Sequence, residues 1–278
     1  MAILRSLLFL PANRADRFLK ALASGADAVC LDLEDALPPA DKEAGLASAL
    51  ELLTHDRGGV LVTVRANDVN TERGRQDLEA LRAAPSPPDA VLLPKVTGPD
   101  DLARAARTLG SGGGRLLIPI VETALGLSRV EEIARTGSSL ALALMLGGVD
   151  LTAELGAAFE WDSLFYARSR MVLAAALAGG LPTLDTPSLD VTDLAALERE
   201  ARAVSRLGFT GKAAIHPAQL AAIHDAFRPS EAELERARRV VQAFEASAGG
   251  VVLVDGWMVD PPVVRAAQQT LERAERLR

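Results

Sequence analysis

Glu122 and Asp150 each stand at or near the end of a consecutive apolar run, and together they can do metal chemistry. If the two runs are neighbouring strands, they lie about 4.8 Å apart, close enough for two carboxylates to grip one cation. No histidine or thiolate lies near either residue in the sequence, so the ligands are hard oxygens. Hard oxygens favour Mg²⁺, with water and substrate oxygens completing the octahedron. Arg65 ends an earlier run and offers a planar fork suited to a carboxylate or a developing enolate oxygen. This constellation fits chemistry on a keto or hydroxy acid. The ion holds an α-oxygen and a carboxylate, and the arginine neutralises charge in the transition state. Gly147-Gly148, just before Asp150, permits close approach of backbone or ligand.

Other charged groups also end apolar runs: Glu34 with Asp35, Lys95, Asp185 and His216. Charge at the end of a buried strand is costly unless the groups converge on a solvated, mutually paired site. Lys95 has two readings. It is a Schiff-base nucleophile, or it is an ion-pair partner for Glu34, Asp35 or Glu122. His216 precedes Pro217 and is therefore extended, with a hydrogen-bonding role. Cys30, inside an apolar run, reads as a small core residue. Trp161, Trp257 and Tyr166 read as packing residues.

The elements that must position these groups alternate along the chain. Apolar runs cover Leu4–Leu10, Ala28–Leu33, Val60–Val64, Ala90–Leu93, Arg115–Val121, Leu140–Leu146, Leu181–Leu184 and Lys212–Ile215. Most are continuously apolar, as strands buried on both faces of a parallel sheet should be. Between them, segments such as Arg14–Ser24, Lys42–His55, Asp100–Leu109 and Val191–Leu207 carry the amphipathic helical pattern. Residues ending the runs, from Pro11 to His216, recur every 24 to 35 residues, the size of a strand–helix unit. Eight units predict a TIM-type (β/α)₈ barrel, with catalytic groups at the carboxyl ends of its strands. A doubly wound open sheet is the alternative. Against it, no Gly-x-Gly-x-x-Gly follows the first strand, and the glycine-rich 110–114 precedes a strand, so it reads as a loop.

After the barrel domain (1–227), whose last helix is Ala218–Phe227, comes a C-terminal helical extension (228–278). Ser230 and Glu233 form a capping box, and Ala248-Gly249-Gly250 ends the helix. Val251–Val254, an Asp255-Gly256 turn and a final helix over Val263–Arg278 follow. This extension either serves as a lid over the mouth or on a neighbouring subunit, or packs against the barrel bottom.

Composition narrows the class. The 278 residues carry 30 basic and 37 acidic side chains, a net charge of −7, which argues against nucleic acid as partner. One cysteine excludes an internal disulfide framework, and with three histidines a histidine-rich metal site is not expected. No run reaches 18 apolar residues, so no membrane span is expected. The first apolar run stops at Pro11, too short for a signal peptide. A cytoplasmic enzyme is the expectation.

The chain resembles the citrate lyase β-subunit (CitE-like) family of the HpcH/HpaI aldolase group. The resemblance rests on Arg5-Ser-Leu-Leu-Phe-Leu-Pro, Leu31-Asp-Leu-Glu-Asp-Ala, Val64-Arg65, Leu92-Leu-Pro-Lys-Val, Val121-Glu-Thr-Ala-Leu-Gly, Leu146-Gly-Gly-Val-Asp-Leu and Gly211-Lys-Ala-Ala-Ile-His-Pro. It implies a TIM-type barrel assembled as a homotrimer that binds Mg²⁺ and a coenzyme A thioester. It implies Glu122 and Asp150 as metal ligands, Arg65 as the substrate-binding arginine, and Glu34 and Asp35 near the metal's outer shell. Arg65, Glu122 and Lys95 are then the expected substrate contacts. Arg14 and Lys20 are candidates for the coenzyme A phosphates, the alternative being an exposed basic helix face. Ala12 stands where relatives commonly have glycine. Trp257-Met-Val-Asp-Pro-Pro-Val-Val resembles the lid of malyl- and citramalyl-CoA lyases. In that lid an aspartate, often supplied by the neighbouring subunit and here matched by Asp260, transfers a proton at the acetyl carbon; Asp260 also reads as a helix N-cap.

The resemblance therefore implies an Mg²⁺-dependent carbon–carbon lyase that cleaves a citryl-, citramalyl- or malyl-CoA to acetyl-CoA and a 2-keto acid. The base for the hydroxyl proton is unassigned, near Glu34 or Asp35. Alternatives are a β-subunit of a citrate lyase complex acting on an acyl-carrier-protein thioester, a malyl-CoA thioesterase or malate synthase, and a Schiff-base aldolase through Lys95.

Overall fold

The structure, a computed structural model, describes residues 4–110, 116–247 and 250–277. The glycine-rich positions 111–114 and the Ala248-Gly249 helix ending lie outside these. In chain order the first half runs β1 (Ser6–Pro11), α1 (Phe18–Leu22), β2 (Ala28–Asp32), α2 (Lys42–Leu52), β3 (Leu61–Arg65), α3 (Glu72–Ala83), β4 (Ala90–Leu93) and α4 (Pro99–Leu109). The second half runs β5 (Leu116–Val121), α5 (Ala124–Ser128), α6 (Val130–Gly137), β6 (Leu144–Leu146), α7 (Gly148–Leu155), α8 (Trp161–Leu177), β7 (Thr183–Asp185), α9 (Leu194–Leu207), β8 (Gly211–Ala214) and α10 (Leu220–Phe227). The eight strands close in sequence order into one barrel, every pairing parallel, with β8 returning to β1. The open-sheet alternative is excluded.

Strand parity determines what the barrel interior holds. Leu7, Cys30, Leu92, Ile118, Ile120, Met145, Leu184 and Ala213 pack together inside. Side chains alternate across a strand. The inward series therefore continues two residues on, from Leu7 to Phe9, from Cys30 to Asp32 and from Ile120 to Glu122. The intervening residues, such as Leu8, Leu31 and Val121, are equally buried but face the helices. This is why the runs are continuously apolar below their polar ends. The Cys30 thiol, fully buried, is pushed up to about 12 chiefly by burial and is an inert core group.

Several boundaries differ from the sequence reading. The run 140–146 contributes only Leu144–Leu146 to the barrel, because Ala141 meets Leu117 in an isolated bridge before the strand begins. The expected first helix divides into a 3₁₀ turn at Ala15–Arg17 and the short α1. Tyr166 and Trp257 are not core residues. They are 63% and 66% exposed, stacked under Arg170 and Arg236 respectively.

The described chain divides into two compact units, Leu4–His224 and one beginning at Asp225, so the division falls inside α10. The second unit holds α11 (Glu231–Ala246), a hairpin of β9 (Val252–Val254) and β10 (Trp257–Val259), and α12 (Pro261–Arg276). Ser230 caps α11 through the anticipated capping box with Glu233. Asp255 and Gly256 both have positive φ, the backbone of a type I′ hairpin turn. Ala237, Val240, Val259, Val264 and Ala267 form this unit's own small core. Among the described residues, no helix is long and apolar enough to cross a membrane.

Candidate active site

The carboxyl ends of the strands enclose a cavity of about 380 Å³. Asp32, Arg65, Glu122 and Asp150 line it, with Asp35 and Thr186 at its wall and Phe9, Ile120 and Met145 among its apolar lining. Arg65 and Asp32 are register partners on β3 and β2, so their side chains emerge side by side. Arg65 donates from Nε and Nη2 to the two Asp32 oxygens at 2.8 and 2.6 Å, a bidentate pair. Its Nη1 lies 2.9 Å from Glu34 Oε2, and its guanidinium stacks over Phe9 at 5.0 Å. Burial works against the Arg65 charge, but Asp32 and Glu34 outweigh it and hold the guanidinium firmly protonated. The fork is thereby locked in one orientation.

Asp32 was missed by the sequence reading because it sits inside an apolar run. The available signal was parity, since it lies two residues after the inward Cys30.

Lys95 takes the ion-pair reading. Its Nζ donates to Glu34 Oε1 at 2.6 Å and lies 3.9 Å from Asp35. Burial lowers its pKa, yet the Glu34 hydrogen bond and charge raise it on balance. A Schiff-base lysine needs the opposite shift. Its backbone has φ of 55°, a left-handed conformation that aims its N–H at Glu122 Oε1, 2.7 Å away.

Glu122 is the electrostatic focus. Burial, then repulsion from Glu34 and Asp150, outweighs the Lys95 N–H and Arg65, and pushes its carboxyl up to about 8. Glu34 is likewise raised, mainly by burial. The site thus gathers Asp32, Glu34, Asp35, Glu122 and Asp150 around two cations, Arg65 and Lys95. Two hard-oxygen carboxylates short of positive charge, facing a solvated cavity, fit a divalent ion such as Mg²⁺. Among the described residues, no group of three or more acidic, histidine or cysteine side chains forms a complete cage. A Mg²⁺ site of one or two carboxylates plus water and substrate needs none.

Gly147 forms the floor under Glu122. A Cβ there would run into the Glu122 carboxylate and Cβ. Gly147→Ala is therefore expected to displace Glu122 and weaken Mn²⁺ binding by about tenfold or more, as loss of a supporting group does. Calorimetric titration checks this.

The remaining predicted residues separate from this cavity. Asp185 follows the inward Leu184 and so faces the helix layer, where it is buried between Arg168 and Lys212. Its placement among the site's strand-end charges is corrected by that parity. His216 accepts from Ala218 N and caps the 3₁₀ turn at Pro217–Gln219. It lines a second cavity of about 400 Å³, which shares Phe9, Pro11 and Ile215 with the first. Lys20 lines that cavity too, together with Arg17, which the sequence reading passed over. Arg14 does not line it and pairs with its neighbour Asp16. In the second unit, Asp260 is the N-cap of α12, accepting from Val263 N at 3.3 Å.

The family model described as HpcH/HpaI aldolase/citrate lyase matches residues 5–217. The chain is 37% identical over 278 residues to a (3S)-malyl-CoA thioesterase of Cereibacter sphaeroides, covering 98% of this chain and 94% of that protein. It is 33% identical over 290 residues to the mitochondrial citramalyl-CoA lyase of Mus musculus, covering 97% and 86%. Among solved structures it is similar to CitE from Mycobacterium tuberculosis in complex with magnesium, acetoacetate and coenzyme A. The TM-score is 0.86 at 35% identity, and 99% of each chain is covered. With strand-end chemistry, barrel topology and sequence agreeing over most of its length, the chain belongs to the HpcH/HpaI aldolase/citrate lyase family.

Proposed function

We propose that this protein is a Mg²⁺-dependent oxo-acid lyase that cleaves a 3-hydroxyacyl-CoA of the malyl, citramalyl or citryl type to acetyl-CoA and a 2-keto acid. The observation that carries the reading is the convergence of Glu122, Asp150 and the locked Arg65 on one cavity. Glu122 and Asp150 would hold the ion. When bound, Mg²⁺ supplies a Lewis acid for the oxygens of the keto-acid portion. Arg65, held by Asp32 and Glu34, orients the substrate carboxylate and neutralises charge developing on the reacting oxygens. A base near Glu34 or Asp35 takes the hydroxyl proton, the freed electron pair on oxygen forms the keto carbonyl, the carbon–carbon bond breaks, and its electron pair passes to the acetyl thioester as an enolate. Asp260, supplied by the lid of a neighbouring subunit of the trimer, then delivers a proton to the acetyl carbon. Glu34 and Asp35 hold the acidic rim around Lys95, and Lys95 borders the substrate. The second cavity, with Lys20 and Arg17, accepts coenzyme A phosphate; Arg14, paired with Asp16, is the weaker candidate. A cytoplasmic homotrimer is the proposed working form.

The relative named as a malyl-CoA thioesterase favours a second reading on the same site. The two outcomes differ in products. A lyase releases acetyl-CoA and a keto acid; a thioesterase releases free coenzyme A and the intact hydroxy acid. Incubating malyl-, citramalyl- and citryl-CoA with enzyme and Mg²⁺, with and without EDTA, is expected to give acetyl-CoA that disappears on chelation. Acetyl-CoA release that survives complete metal removal contradicts the proposal, as does borohydride inactivation through Lys95.

A further inference from the structure

Behind the cavity wall lies a charged cluster that the mechanism above does not use. Arg168 of α8 and Lys212 of β8 are both 0% exposed, as is Asp185 at the end of β7. Arg168 donates from Nε to Asp185 Oδ1 at 2.9 Å and from Nη2 to Glu200 of α9 at 2.6 Å, and its guanidinium stacks on Trp161 at 4.7 Å. Lys212 Nζ donates to Asp185 Oδ2 and to the Thr186 carbonyl, both at 2.7 Å. Burying such charges costs more than apolar packing would, so they do not merely add stability. What they fix is the start of the β7–α9 loop.

That loop is tied at two points. Lys212 holds the Thr186 carbonyl, and Gln219 Nε2 donates to the Ser188 carbonyl at 2.9 Å. Thr186 turns its hydroxyl to the first residue of α7, accepting from Gly148 N at 3.2 Å. Gly148 leaves no slack, because a Cβ there would press on the Thr186 methyl and the Leu164 side chain. Asp150 sits in the first turn of that same helix. A continuous chain of short contacts therefore runs from the buried cluster through Thr186 to the helix bearing Asp150.

We propose that Lys212, Asp185 and Arg168 are positioning residues for Asp150, acting through the Thr186 hydroxyl on Gly148. The proposal rests on Glu122 and Asp150 being the metal ligands. Outer-shell partners of this kind set metal affinity by orienting the ligand.

The test is calorimetric titration of Mn²⁺ into the full-length protein without substrate, with thermal midpoints measured in parallel. Thr186→Val keeps the side-chain shape but cannot accept from Gly148; Lys212→Met removes the tie to the Thr186 carbonyl. Each is expected to weaken Mn²⁺ binding by about 10–100-fold. Thr186→Ser, which keeps the hydroxyl, retains wild-type affinity. Leu78→Ala, in the buried face of α3, lowers the thermal midpoint without changing affinity, which separates positioning from general stability. Arg168→Lys, which keeps the charge but loses the fork, replaces Lys212→Met if that variant does not fold, with the same expected loss. Unchanged affinity in Thr186→Val, or in the folded cluster variant, overturns the proposal alone. Absence of Mn²⁺ binding by the wild type overturns the ligand reading and the proposal with it.

Discussion

Glu122→Gln is expected to lower turnover about a thousandfold, since the ion's Lewis-acid contribution is several kcal/mol and each 1.4 kcal/mol is about tenfold in rate. The substitution keeps the shape and leaves the Lys95 N–H an acceptor, so the fold is preserved. What disappears is one of the two charges proposed to face the cation. The pH dependence of binding follows from the same group. The ion requires the carboxylate, and the metal-free carboxyl sits at about 8. Mn²⁺ affinity is therefore expected to rise as pH increases from 6, releasing a proton from Glu122 on binding, and to level off above about 8. In Glu122→Gln the proton release is lost.

Stability carries the complementary signature. Glu122 has a folded pKa above its unfolded value, so the native state binds more protons than the unfolded chain between about 4.5 and 8. Its contribution is fully present below that window and is lost as pH rises through it. Glu34 and Asp77, also raised mainly by burial, add the same sign. The thermal midpoint of the metal-free protein is expected to fall from pH 5 to pH 8. Saturating Mg²⁺ restores it at the upper end, and Glu122→Gln reduces the slope. Differential scanning calorimetry across this range checks all three.

Arg65→Lys is the second large effect, with an expected loss of 10²–10³ in kcat, the range for removing one preorganised charge-stabilising donor. A lysine keeps the charge but cannot reproduce the fork that engages both Asp32 oxygens and Glu34. It leaves acceptors in a nearly buried network without partners, which is costly. The loss should fall on kcat more than on Mn²⁺ affinity, because the proposed function places Arg65 on the substrate rather than on the ion. Steady-state kinetics beside calorimetry separates the two. An Arg65→Lys enzyme with wild-type kcat contradicts the assignment.

The barrel was legible because the strands are largely buried on both faces and all runs but the first, which stops at Pro11, are closed by a charged residue or His216, so run length and spacing counted the units directly. Arg65, Glu122 and Asp150 were legible for the same reason: a charge closing an apolar run is conspicuous. Asp32 was not, because it lies within its run, and parity points it inward only once the closed barrel shows that Cys30 faces the interior. Asp185 shows the converse. It ends a run as visibly as Glu122 does, but it is one residue out of phase with the inward Leu184, and a run of three strand residues is too short to fix the phase. Lys95 was legible both as charged and as a partner for Glu34, Asp35 or Glu122, and the meeting of the two strand ends selects Glu34. The β10 half of the C-terminal hairpin escaped notice because three residues with exposed Trp257 and Met258 carry no alternation.

The most direct test of the central claim is the anomalous signal of Mn²⁺ in crystals of this protein. A single peak about 2.1 Å from carboxylate oxygens of both Glu122 and Asp150, in the cavity that Arg65 faces, is the predicted result. A peak held by other side chains, or none at these two carboxylates at saturating Mn²⁺, contradicts the account.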